Sequence, residues 1–150
     1  MIETYSQSET EEFGRRFAKA LLPGNVVALY GDLGAGKTAF VRGVIHGMGK
    51  EVPVSSPTFS IVNEYYIPGG KIAHFDMYRI GSEEELYGTG FYDYLDGKNI
   101  ILMEWSENVP FAVDEDAIRI TIEKGEGDTR RIRIVTLVDC NTLLLTGPLS

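Results

Sequence analysis

Residues 31–38 read Gly31-Asp32-Leu33-Gly34-Ala35-Gly36-Lys37-Thr38, a complete GxxxxGK[ST] run. Before it, Val26-Val27-Ala28-Leu29-Tyr30 form an apolar run of strand length. After it, Phe40, Val41, Val44, Ile45 and Met48 recur at helical spacing on one face. Strand, glycine loop and helix make up the context in which this run binds phosphate. The glycines let the backbone wrap closely, so that successive N–H groups converge on an anion. The helix start adds its own unpaired N–H groups and the positive end of its dipole. Lys37 then supplies a cation for the β- and γ-phosphates of a nucleotide, and the Thr38 hydroxyl is placed to ligate Mg²⁺.

The chain has 150 residues, enough for one domain over residues 1–150 and a core that needs no disulfide or structural metal. Its 43% hydrophobic and 24% charged residues suit a soluble globular protein. No apolar run is long enough to span a bilayer, and the first residues lack the basic and apolar regions of a signal peptide. Cys140 stands alone, with no partner for an internal disulfide and no neighbouring base, so a cytoplasmic location is expected. A net charge of -8 argues against direct nucleic-acid binding. The one basic cluster, Arg130, Arg131 and Arg133, reads as a solvated strand face. Any link to nucleic acid is expected to run through a partner.

Along the chain, Ser8 or Thr10 is expected to cap a first helix ending near Leu22. Gly47 and Gly49 close the helix behind the loop. The segment Pro53-Val54-Ser55-Ser56-Pro57-Thr58 reads as a polar connection with no reason to pack. Residues 59–67 and 71–78 read as an antiparallel hairpin turning at Pro68-Gly69-Gly70. Ser82 to Leu86 should begin a short helix with three glutamates in its first turn. The aromatics from Tyr87 to Tyr94 read as packing. Asn99 to Glu104 reads as a central strand. Isoleucines alternating at 118, 120 and 122 and again at 132 and 134 indicate a second hairpin with one wet face. From Asp139 onward the tail is weakly patterned. The expected fold is α/β: a P-loop NTPase-like mixed sheet with a parallel centre, antiparallel hairpin additions and flanking helices.

A phosphate-binding loop needs a second Mg²⁺ anchor, an acid at the end of a neighbouring buried strand. Glu104 and Asp76 both qualify, because each ends an apolar run at the edge where open α/β sheets bind ligands. One could hold the metal while the other orients the attacking water. The Ser55-Ser56-Pro57-Thr58 loop offers hydroxyls that could sense a γ-phosphate. His74, two residues before Asp76, reads as a core histidine bonded to a neighbour. His46 belongs to no metal pattern. Trp105 reads as a shield over the site.

Taken together, GDLGAGKT, Ser56-Pro57-Thr58 leading into Val62-Asn63-Glu64-Tyr65, His74-Phe75-Asp76-Met77-Tyr78-Arg79, Glu84-Glu85-Leu86 before Gly88, and Glu104-Trp105 resemble the bacterial TsaE/YjeE family. That family is the small ATPase of tRNA threonylcarbamoyladenosine biosynthesis. The resemblance runs in order from the first helix to about Val109. It implies ATP phosphate contacts from Leu33, Gly34, Ala35, Gly36, Lys37 and Thr38, and Mg²⁺ at Thr38 and Glu104. It implies a catalytic or water-positioning role for Asp76, a switch role for residues 56–58, and Gln7 near the nucleotide. It also implies two partners: the threonylcarbamoyl-transferase subunit that modifies adenosine 37 of tRNA, and its inactive paralogue (TsaD and TsaB type). Family members often carry proline after the Glu-Trp pair, where this chain has Ser106.

Two other classes remain for comparison. A free-standing small-molecule kinase on the same core generally needs an arginine-bearing lid. Between Thr38 and Glu104 only Arg42 and Arg79 occur, neither in a lid-like insertion. A GTPase switch would carry an NKxD run, and none is present. With few arginines to assist phosphoryl transfer, slow ATP hydrolysis by the isolated chain and faster turnover with partners are expected.

Overall fold

The computed structural model describes residues 1–50, 52–55, 57 and 61–136. Its elements alternate as the sequence pattern requires: β1 (Ile2–Thr4), α1 (Gln7–Ala18), β2 (Val26–Tyr30), α2 (Lys37–Gly47), β3 (Val62–Ile67), β4 (Gly70–Asp76), α3 (Glu83–Gly88), β5 (Ile100–Glu104), β6 (Ile118–Lys124) and β7 (Arg130–Val135). Seven strands form one sheet in the order β1-β7-β6-β2-β5-β4-β3. The four central strands, β6, β2, β5 and β4, run parallel, whereas β7, β1 and β3 pair antiparallel around them. The expected mixed α/β sheet with hairpin additions is therefore the observed one.

Strand alternation sends side chains to two separate cores. Val27, Leu29, Ile72, Ile100 and Leu102 meet α1 and α2 through Phe13, Phe17, Phe40 and Val44. Ala28, Ala73, Phe75, Ile101 and Met103 meet Leu86 and Phe91 on the other face. The aromatic run packs as expected: Phe91, in the 3₁₀ turn Phe91–Tyr94, stands edge-on to Phe75 at 5.1 Å.

Three local expectations are corrected. The first helix is capped by Ser6, not by Ser8 or Thr10. Ser6 Oγ accepts from Glu9 N at 3.1 Å while the Glu9 carboxylate takes Tyr5 N, one residue before the cap, at 2.9 Å, a variant of the capping box that outcompetes the later hydroxyls. Thr10 instead bonds Thr4 Oγ1 at 2.7 Å, tying α1 to β1. The helix stops at Ala18, short of Leu22. The connection after α2 does pack in part, because Val54 is buried in the α1/α2 core. Ser56, Thr58, the start of the residue 59–67 strand, and the tail with Asp139 and Cys140 lie outside the described residues.

Helices α1 and α2 approach so closely that Gly43 has no room for a side chain. A Cβ there would overlap the carbonyl oxygen of Glu11 and stand 2.8 Å from its carbon. Gly43→Ala is expected to cost about 2 kcal/mol through forced helix separation. In a thermal melt that is a Tm fall of roughly 4–8 °C for a chain of this size. An unchanged melt would mean that the two helices separate at little cost.

Candidate active site

The loop between β2 and α2 adopts the wrapped form that its glycines permit. Gly36, the residue before α2, has φ +108°, a left-handed conformation that an L side chain rarely adopts. That geometry turns the chain so that the first N–H groups of α2 face the concavity. Ala35 N donates to Asp32 O at 3.0 Å, closing the turn within the loop. Lys37 is only 5% exposed, and its ammonium donates to the carbonyls of Gly31 and Asp32. It also stands 4.0 Å over the ring of Trp105, a cation–π contact. Burial lowers the Lys37 pKa, and the carboxylates of Glu107, Glu104, Asp32 and Asp76 oppose that shift.

The two candidate carboxylates come from adjacent parallel strands and stand in register, Asp76 of β4 opposite Glu104 of β5. Both have the strand parity of Ile72, Ile100 and Leu102, so they belong to the sheet face that carries α2. Glu104, 2% exposed, accepts from the Thr38 hydroxyl at 3.2 Å and 3.3 Å to its two oxygens. His74, fully buried, bonds Glu104 Oε2 through Nε2 at 2.6 Å. The histidine expected to satisfy a neighbour therefore does so, with a carboxylate on the next strand. Asp76 is half-buried and accepts Tyr78 N at 2.9 Å. Burial raises the Asp76 pKa; the Tyr78 bond counters this, and the nearby Glu104 charge adds to it.

Trp105 leaves β5 at φ 59°, the one non-glycine residue with positive φ among the described residues. Such a conformation costs of order 1 kcal/mol or more, and here it swings the chain out of the strand directly after Glu104. The ring packs against Tyr78 at 4.9 Å, and both side chains line the cleft. Ser106 is fully buried and donates its hydroxyl to Met103 O at 2.7 Å.

These groups line one cleft of about 460 Å³, bounded by Leu33, Gly34, Ala35, Gly36, Lys37 and Thr38, by Asp76 and Glu104, and by Gln7 at the start of α1. The opposite wall holds a residue that the sequence reading placed elsewhere. Arg130 opens β7 and donates to Gly34 O at 3.3 Å, so it is not part of a solvated face. Arg131 and Arg133 do face solvent. The misplacement has a topological cause. β6 lies beside β2, so the β6–β7 turn ends over the phosphate loop, a proximity that strand alternation alone does not reveal. Arg42, also at the cleft, is held by Glu11 at 3.0 Å.

The donor set suits the phosphates of a nucleotide together with Mg²⁺. Among the described residues no cluster of three or more His, Cys, Asp or Glu side chains could hold an ion alone. Mg²⁺ needs none, because it commonly takes one or two protein oxygens together with substrate phosphates and water. The Thr38 hydroxyl beside the Glu104 carboxylate is such a pair, and the left-handed glycine turn at Gly36 leaves a cradle beside it.

The family model of Threonylcarbamoyl adenosine biosynthesis protein TsaE matches residues 4–132, a span that includes every side chain of the cleft. The chain belongs to the TsaE family. A TsaE relative from Rickettsia typhi is 44% identical over 126 residues, covering 83% of this chain and 87% of that one. The TsaE of Bacillus subtilis is 35% identical over 129 residues, covering 86% and 80% respectively. Among solved structures, the crystal structure of Bacillus subtilis YdiB superposes with a TM-score of 0.77 at 29% identity, covering 96% of this chain and 89% of that one. TsaE membership thus agrees with the resemblance carried by the short motifs. Among the described residues no helix is long and apolar enough to cross a membrane.

Proposed function

We propose that this chain binds ATP with Mg²⁺ and hydrolyses it slowly, acting as a switch in the formation of N6-threonylcarbamoyladenosine at position 37 of tRNA. The observation that carries the reading is the convergence of Lys37, the Thr38–Glu104 pair and Asp76 on one wrapped glycine loop. Within it, Lys37 exchanges its bonds to the Gly31 and Asp32 carbonyls for phosphate oxygens, a swap in which one set of acceptors replaces another. Thr38 and Glu104 hold Mg²⁺, which when bound neutralises charge developing on the transferred phosphoryl group. Asp76, whose pKa burial raises, accepts a hydrogen bond from the attacking water and orients it. Trp105 and Tyr78 wall the cleft and limit access of bulk water. Gln7 and Arg130 line the far side and suit the remainder of the nucleotide.

The output goes to the threonylcarbamoyl-transferase subunit and its inactive paralogue, with tRNA reached only through them. A net charge of -8 supports that indirect route. The isolated chain is expected to turn over at about 10⁻⁴ to 10⁻² per second, the range of switch proteins without an arginine supplied from outside. Adding the two partner subunits should raise that rate. Fast hydrolysis by the isolated chain, unchanged by the partners, would overturn the switch reading. A pull-down from cell extract with and without ATP tests the partners: both transferase subunits should be recovered in a nucleotide-dependent way. A chain that came down alone and transferred phosphate to a small metabolite would instead be a kinase.

Lys37→Ala separates binding from chemistry. Loss of a charged donor to phosphate costs about 1.5–3 kcal/mol, or roughly 10–100-fold in ATP affinity. Calorimetric titration with a non-hydrolysable ATP analogue measures it. Wild-type affinity in the variant would exclude Lys37 from the phosphate site.

A further inference from the structure

The His74–Glu104 bond goes further than core packing requires. His74 sits in the middle of β4, fully buried, with Leu102 of β5 as its register partner. Its ring reaches past Leu102 to the next residue on the same face, Glu104, and meets Oε2 at 2.6 Å. The other ring nitrogen, Nδ1, is buried and has no hydrogen-bond partner among the described residues. A buried N–H without an acceptor is costly, whereas a bond to a carboxylate is strong. The ring proton therefore belongs on Nε2, and the imidazole donates to Glu104 by that atom alone.

The same carboxylate takes the Thr38 hydroxyl from the α2 side. Two donors from two different elements, β4 and α2, thus fix the rotation of one terminal carboxylate, a torsion that is otherwise broad and weakly restrained. A purely apolar side chain at residue 74 would fill the core between β5 and the helices but would release that rotation.

We infer that His74 is a positioning residue for the Mg²⁺ site: its Nε2–H holds Glu104 Oε2 and thereby sets the carboxylate orientation that the Thr38–Glu104 pair offers to the metal. This rests on the nucleotide-site reading given above. Ligand-orienting partners of this kind typically change metal affinity by about 10–100-fold when removed.

The test compares His74→Leu, which keeps bulk without a donor, with His74→Gln, whose amide can extend to the position of Nε2. Mg²⁺ is titrated into each protein in the presence of a non-hydrolysable ATP analogue, and analogue binding is also measured with EDTA present. Metal-free analogue binding should match wild type in both variants. The Mg²⁺ midpoint should rise about 10–100-fold in His74→Leu and return most of the way in His74→Gln. Unchanged Mg²⁺ dependence in His74→Leu, or failure of glutamine to restore it in a folded protein, would overturn the inference. Should His74→Leu fail to fold, ¹⁵N NMR of the wild-type ring decides. An Nε2–H proton shifted downfield, as bonding to a carboxylate requires, supports the assignment, and an Nδ1–H form refutes it. Wild-type protein showing no Mg²⁺ effect on analogue binding would instead refute the nucleotide-site reading itself, with the NMR result standing apart.

Discussion

Glu104→Ala is expected to lower Mg²⁺-dependent ATP turnover by roughly 10³-fold, the upper range for loss of one group that stabilises transition-state charge. ATP binding measured in EDTA should stay near wild type, because the phosphate contacts come from the loop backbone and Lys37. Two effects combine in this variant. The carboxylate beside the Thr38 hydroxyl is gone, so the metal loses its strand-side anchor. The Nε2–H of His74 is also left buried without its acceptor, which costs about 1–3 kcal/mol of stability. Glu104→Gln separates the two, since its amide oxygen can still accept from His74 while the charge on the metal side is removed. Both variants should lose turnover, and only alanine should lose several degrees in Tm. Normal hydrolysis by Glu104→Ala would transfer the metal role to Asp76, its neighbour in register.

Asp76→Asn carries the second large effect, a fall in turnover of roughly 10²–10³-fold with little change in ATP affinity, as expected where a positioned carboxylate orients the attacking water. It should also make the metal-free protein more stable at neutral pH. Burial raises the Asp76 pKa above its ordinary 3.8 and the Glu104 charge adds to it, so the folded state holds the Asp76 proton more tightly than the unfolded chain does. Stability is then lost as pH rises from 3.8 through the folded-state value, and the loss is complete above it. Asparagine removes that loss and can keep the bond to Tyr78 N. Tm of the variant should therefore exceed that of wild type at pH 7, with the advantage vanishing at low pH. A variant less stable than wild type at pH 7, or one that hydrolyses normally, would remove Asp76 from its assigned place. Greater stability combined with lost activity is the usual mark of a group kept for chemistry.

Much of the site is legible in the sequence because its chemistry is local. The phosphate loop occupies eight consecutive residues, and its glycines, lysine and threonine dictate the backbone path between a strand and a helix whatever surrounds them. Glu104 was legible as the polar end of an apolar strand, and the hairpin of β3 and β4 as two runs around a Pro-Gly-Gly turn. The first helix shows how a local reading can still slip: several hydroxyls competed for its cap, and the bonds Glu9 N to Ser6 Oγ and Tyr5 N to the Glu9 carboxylate decided between them.

What sequence alone determined about this protein was therefore the wrapped glycine loop, the two acidic strand ends, and a family resemblance that the comparisons bear out. Tertiary structure alone decided which groups meet across the sheet. Placing β5 between β2 and β4 stands Asp76 beside Glu104 and brings His74 onto it from 30 residues away. Placing β6 on the other side of β2 carries Arg130 onto the loop carbonyl of Gly34, 96 residues distant in sequence. The physical reason is that alternation fixes which face a strand residue takes, while strand order fixes its neighbours. Strand order is settled by how the whole apolar surface closes over two cores, a global sum that no single run of residues contains.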